Sequence, residues 1–249
     1  MYESYVKDFP RGCEMEQGSV ANLLPICTDH LNTLNKSLVL ICRIREIATD
    51  VNSDILGPIS DIEAQGRFNV FLNLCLLDSL VIYKSALSSV HLWEDVYTLR
   101  QGYQLIYEAI KTYSSHSKSL KILASKTSTS ADILFSELTL NIKKFKKEHK
   151  YEKNIEEIRN YTICHIDKDP IRFFERISQF EEESAFIALK EFISIIVSMI
   201  SLSDYIFVNY SKRIINDSSS RLSVFQEYSI EIYRLLDLLE SQEISSHRF

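Results

Sequence analysis

Arg159, Asn160 and His165 stand within ten residues of one another in the segment EEIRNYTICHIDKDPIRFF, Glu156 to Phe174. An arginine presents a permanent charge on a planar fork of donors, which suits a phosphate. A histidine, with an unperturbed pKa of about 6.5, takes or gives a proton near neutrality. Cleavage of RNA by its own 2′-hydroxyl needs these functions together: a base for the hydroxyl, positive charge on the phosphoryl oxygens and an acid for the leaving 5′-oxygen. Asn160 adds an amide able to orient either the phosphate or the imidazole. Just upstream, Lys143, Lys144, Lys146, Lys147, Lys150 and Lys153 gather positive charge: from Asn141 to His165 there are seven Lys or Arg against four Glu. Lys143, Lys144, Lys147 and Lys150 are therefore candidates for binding RNA phosphates.

The same residues have a plainer reading. Ile155, Ile158, Thr162 and His165 recur at spacings of three and four, which sets His165 on an apolar stripe where a carbonyl satisfies it. Arg159 then pairs on the surface with Glu156 or Glu152, Asp167 caps the next helix, and the lysines form a solvated helix end. Geometry also constrains the catalytic reading. Six positions of unbroken helix turn the chain by about 600°, leaving Arg159 and His165 about 120° apart. They converge only if the helix ends between them or a second protomer supplies the missing group. Arg100 and Glu108, on the polar side of an earlier helix, either back this motif or simply face water. His91, His116 and His149 have no partner at ligand spacing, and no HExxH or CxxC pattern occurs. No metal or cofactor is expected.

The elements that must position this segment read as helices. Residues 1 to about 27 hold two of the four prolines and show no period, so an irregular lead-in is expected. A helix from Thr28, with Leu31, Leu34, Leu38 and Ile41 on one side, should stop near Asn52, before a turn at Gly57-Pro58. Ser60 or Asp61 caps a second, striped by Phe68, Phe71, Leu74, Leu77 and Val81. A third starts near Trp93 with Glu94 and Asp95 in its first turn, and carries Val96, Leu99, Tyr103, Ile106, Ile110 and Tyr113. The serine-rich stretch Ser114 to Ser130 is expected to be a mobile connection, and Ser130 the cap of a helix through Leu134, Leu138, Ile142 and Phe145. A short helix carries the Arg159 motif, and Asp169-Pro170 opens the next element. The segment from Glu181 to Tyr210 narrows its polar residues to Glu191, Ser194, Ser198 and Ser201, so it should be buried on most sides. A last amphipathic helix carries Phe225, Tyr228, Ile232, Leu235 and Leu239.

Composition agrees with an all-α chain. Only five glycines and four prolines occur in 249 residues, with no glycine after Gly102. Phosphate loops and tight hairpins draw on residues that tolerate positive φ, so a Rossmann fingerprint, a P-loop and a hairpin-rich sheet are disfavoured. The fold expected is an antiparallel bundle of about seven helices, with residues 1–60 packing on a core built by 61–249. A net charge of −6 argues against a dedicated duplex-DNA binder. The five scattered cysteines suggest reduced thiols. The charged N-terminus does not resemble a signal peptide. The longest uncharged run of the most apolar region, Phe192 to Ser203, falls short of the roughly 20 residues a span needs. A soluble, cytoplasmic protein is expected, with no membrane partner.

The motif R-N-x4-H-x-D at a helix end, in an all-helical chain with a long buried helix following, resembles the HEPN superfamily (higher eukaryote and prokaryote nucleotide-binding), most closely its abortive-infection and toxin-like branches. The resemblance implies a HEPN-like core in residues 61–249 and a metal-independent endoribonuclease whose site is shared between two protomers. Arg159 and His165 would then be the catalytic pair, assisted by Asn160. It further implies a homodimer, RNA as substrate, and an antitoxin or nucleotidyltransferase partner. In two-component HEPN toxins a tyrosine that can receive a nucleotide stands two places after the histidine; here Asp167 stands there, a departure from that pattern. The rival reading is a non-catalytic helical module that binds another protein, a nucleotide or RNA.

Overall fold

In the computed structural model the chain is described at residues 14–50, 56–162, 171, 175, 177–178, 180–219 and 224–242. Among these residues there are seven α-helices and no strand. They are α1 (Glu14–Asp50), α2 (Leu56–Ser88), α3 (Leu92–Thr127), α4 (Thr129–Glu148), α5 (Glu157–Thr162), α6 (Glu182–Ser219) and α7 (Val224–Ser241). A π turn, Glu152–Glu156, leads into α5. The expected all-α bundle is what the chain forms. His165, Asp167 and Asp169-Pro170 lie outside the described residues.

α6 runs through the centre, packed by α2, α3, α4 and α7, while α1 lies along α2 and α7. Leu38 meets Gly66, and Arg45 pairs with Glu63, so α1 and α2 run antiparallel. Tyr83 stacks on Phe186 while Asn69 bonds Asp204, which makes α2 and α6 antiparallel as well. Three of the four residues of the polar stripe expected on α6, Glu191, Ser194 and Ser198, face water, Ser201 is half-buried with its hydroxyl on the Val197 carbonyl, and nearly everything between the first three is buried. Two helices are long and apolar enough to cross a membrane by length and composition, the most apolar 18-residue stretch having a mean hydropathy of 1.6 in α2 and of 2.0 in residues 182–216. A helix enclosed by neighbours in a core needs the same all-round apolar surface.

Six local expectations are corrected. Residues 14–27, expected as irregular, are the first turns of α1: Val20, Leu23 and Cys27 are buried and extend the stripe backwards, while Pro25 sits on the exposed side. There its missing N–H frees only the exposed Ala21 carbonyl. Gly57-Pro58 is the first turn of α2 rather than a loop before it. A proline is tolerated there because the first helical N–H groups have no partner anyway. Ser60 is no cap, because its hydroxyl donates back to the Leu56 carbonyl.

The stripe of α2 is also rotated. Leu74 and Val81 are exposed, and the buried line runs through Ile59, Ile62, Gly66, Asn69, Asn73, Leu76, Leu80 and Tyr83. Finally, the serine-rich stretch is helix. Ser114, Ser117 and Ser125 donate to carbonyls three or four residues back, and Leu120, Leu123 and Ala124 continue the core line of α3. Ser128, not Ser130, closes the α3–α4 corner. Its N–H donates to the Ala124 carbonyl, and its hydroxyl accepts from the Ala131 N–H at 3.1 Å.

Candidate functional site

The chain leaves α4 through an irregular corner, and the motif arginine stands just beyond it. His149 is the C-cap of α4, and Lys150 follows at φ 47, the one positive-φ residue other than glycine among the described residues. A β-carbon makes that conformation unfavourable by roughly 1–2 kcal/mol. The π turn begins two residues later. Strained residues and π turns concentrate at functional sites, where surrounding packing holds them in place. Here the packing is aromatic. The buried Tyr151 ring stacks on Tyr107 of α3 at 6.1 Å, and its hydroxyl donates to the Tyr107 carbonyl. Burial pushes the Tyr151 phenol above its ordinary range, with the neighbouring Tyr107 and the carboxylates of Glu156, Glu152 and Glu108 adding to the effect.

Arg159 is held on this platform. Its Nη2 donates to Glu108 Oε1 at 2.6 Å, its Nη1 donates to Asn160 Oδ1 at 3.0 Å, and its guanidinium carbon lies 4.7 Å from the Tyr107 ring centre. The surface pairing expected with Glu156 or Glu152 is replaced by this cross-helix pair, in which the Arg159 side chain is only 23% exposed. Of the two alternatives for Glu108, the structure takes the one in which it backs the motif. Two more cations use the same rings, Lys111 over Tyr107 at 5.5 Å and Lys146 over Tyr151 at 4.6 Å. Arg100 is half-buried about two turns back on α3, and burial lowers its pKa. Asn160 is exposed beside the arginine it contacts.

All four candidate lysines are exposed. Lys143 and Lys147 are four residues apart and so share a face of α4, with Lys150 following at its end. Lys144 turns away from that line and approaches Glu148 at 3.8 Å. His165 lies outside the described residues, so Arg159 and Asn160 are the part of the proposed catalytic set whose surroundings are described. No cluster of three or more His, Cys, Asp or Glu side chains able to hold a metal occurs among the described residues.

Sequence reasoning missed one constellation here. His149 Nε2 lies 2.8 Å from Glu191 Oε2 of α6, and the imidazole packs at 4.6 Å on Phe145. Its partner is 42 residues away, so no local spacing signals the pair. The other described histidines serve the fold. His91 accepts from the Trp93 N–H at the start of α3, His116 stacks on Phe68, and His30 is buried beside Asp204. Compared with family models, with curated proteins and with solved structures, the chain matches none.

Proposed function

We propose that this protein is a cytoplasmic, metal-independent endoribonuclease of the HEPN toxin or phage-defence type. In this reading Arg159 holds the phosphoryl oxygens and His165 exchanges protons with the 2′-hydroxyl or the leaving 5′-oxygen, at a site completed by a second copy of the chain. The observation that carries it is the fixing of Arg159. Its guanidinium is set by Glu108, Asn160 and the face of Tyr107 beside the lysine-bearing end of α4. An oriented, permanently charged fork next to a basic surface is what a phosphodiester in its transition state requires. Lys143, Lys147 and Lys150 would lead the RNA backbone towards it. An antitoxin or nucleotidyltransferase partner belongs to the same reading.

One observation favours the rival, a non-catalytic module that binds RNA, a nucleotide or another helical protein. Glu108 already compensates the Arg159 charge at 2.6 Å. The two readings separate in one experiment. Wild type, Arg159→Ala and His165→Ala are incubated with mixed cellular RNA in EDTA. The nuclease reading expects wild type to leave 2′,3′-cyclic phosphate and 5′-hydroxyl ends, and each variant to lose activity by about 10²-fold or more with helical circular dichroism unchanged. Full-rate cleavage by both variants removes the assignment. RNA bound but not cleaved by wild type transfers it to the binding module.

A further inference from the structure

The histidine and carboxylate at the end of α4 have the parts of a proton-transfer pair. A carboxylate only accepts, so the contact at 2.8 Å requires His149 Nε2 to carry the hydrogen and donate it to Glu191 Oε2. The neutral ring then presents its lone pair on Nδ1. Glu191 fixes the tautomer and stabilises the imidazolium formed when Nδ1 takes a proton, which is the task of the third member of nucleophile–base–carboxylate arrangements. The imidazole is held, because it packs at a tilt on Phe145 with ring centres 4.6 Å apart and its side chain is only 12% exposed, while Glu191 reaches water at 49%. The backbone fixes it too: the His149 N–H donates to the Phe145 carbonyl at 3.0 Å, and the strained Lys150 follows directly. Lys146, Lys147 and Lys150 stand within three residues of it in the sequence.

We infer that His149 is a catalytic base for RNA lying along the end of α4, with Glu191 as its positioning residue. This rests on the ribonuclease reading and adds to it a proton-transfer residue that the R-N-x4-H motif does not contain. The step balances without a co-reactant. His149 Nδ1 removes the 2′-hydroxyl proton and becomes imidazolium, the 2′-oxygen forms its bond to phosphorus, and the bond from phosphorus to the 5′-oxygen breaks. The leaving oxygen takes its proton from the acid that the ribonuclease reading supplies, His165, and the His149 imidazolium returns its own through water to restore both histidines. Lysine ammonium groups balance the charge on the phosphoryl oxygens throughout.

The test uses the full chain and a single-stranded RNA labelled at one end, with cleavage followed from pH 5 to 9 and binding followed by anisotropy. His149→Ala is expected to cut the cleavage rate by about 10²-fold or more while RNA affinity changes less than about threefold, and added imidazole should restore part of the rate. Glu191→Gln is expected to lower the rate less and to displace the pH–rate profile, with RNA affinity unchanged. Rescue by imidazole and a moved profile are responses that a packing role does not produce. If His149→Ala folds, by circular dichroism, and cleaves at the wild-type rate with the wild-type profile, the dyad is excluded while the ribonuclease reading stands on Arg159 and His165. If wild type neither cleaves nor binds the RNA, the ribonuclease reading falls and takes the dyad with it.

Discussion

Glu108 and Arg159 make a pair whose two roles predict opposite results. As a partly exposed ion pair it is worth about 0.2–1 kcal/mol, and the Tyr107 face adds a cation–π term of similar size. If Glu108 only anchors the arginine, Glu108→Gln should loosen it and weaken anything bound there. If a phosphate is meant to sit on Arg159, the carboxylate is its competitor, and removing the negative charge should tighten RNA. The ribonuclease proposal expects the second outcome. Affinity should rise in Glu108→Gln, and the slope of log K against log salt should steepen by about 0.7, one more phosphate on a single strand. Arg159→Ala placed on top of Glu108→Gln should remove that gain. Titration of a labelled oligonucleotide at several salt concentrations measures both. An unchanged slope in Glu108→Gln would mean that no phosphate reaches the arginine.

At the scale of single helices, burial follows a seam that polar residues conceal. In α1 the buried positions Val20, Leu23, Cys27, His30, Leu34, Ser37, Ile41, Ile44 and Ala48 alternate by three and four without a break. His30 and Ser37 interrupt the apolar pattern, so the line visible in the sequence starts late and drifts to Leu31. In α2 the seam passes through Gly66, Asn69 and Asn73, and an apolar count prefers Leu74 and Val81, which face water. Ser37 and Asn73 are satisfied within their own helices, by Thr33 and Asn69, but other partners arrive from α6: Asn69 and His30 both meet Asp204, and Gln65 donates to Ser203 at 2.7 Å. By contrast, α6 and the part of α3 before Ser114 were legible because their core lines are apolar there. The candidate site divides the same way. Arg159 and Asn160 were found from local order and Glu108 was a candidate left open, but Tyr107 meets Arg159 from 52 residues away and Glu191 meets His149 from 42, and no spacing rule reaches that far.

The seam makes a sharp prediction about glycine. A methyl at Gly66 would lie 2.8 Å from the Phe207 ring and 2.9 Å from Leu38 Cδ1, whereas one at Gly57 meets nothing within 4 Å. Alanine gains about 0.8–1 kcal/mol of helix propensity inside a helix, but overpacking costs about 1–3 kcal/mol. Gly66→Ala should therefore lower the melting temperature by a few degrees, and Gly57→Ala should leave it equal or slightly raised. Calorimetry of the two variants decides the matter. A more stable Gly66→Ala would show that α1, α2 and α6 do not meet this closely.

Across the whole molecule, one core joins α1 to α7, and it holds protonated groups that ionise readily only when the chain unfolds. Burial pushes the Cys27 thiol up to about 11 and the Cys75 thiol, with a smaller push from Asp78, up to about 12, against an ordinary 9.0. Burial, with Glu181 adding to it, pushes the Tyr103 phenol up to about 12. Each is neutral while protonated, and the folded chain keeps its proton to higher pH than the unfolded one. Above about pH 9 the unfolded state binds fewer protons, so stability must fall as pH rises, until the folded values are passed near pH 11 to 12. Each fully engaged group steepens the fall by about 1.4 kcal/mol per pH unit. Loss of lysine charge from a chain already at −6 adds self-repulsion over the same range, so the total slope alone does not isolate the core. Cys75→Ala does. It should lower stability at pH 7 by leaving a small cavity, yet show a shallower decline between pH 9 and 11 in urea melts than wild type. Parallel declines would mean that Cys75 ionises freely in the folded chain, and that water reaches the α2 core despite the packing around it.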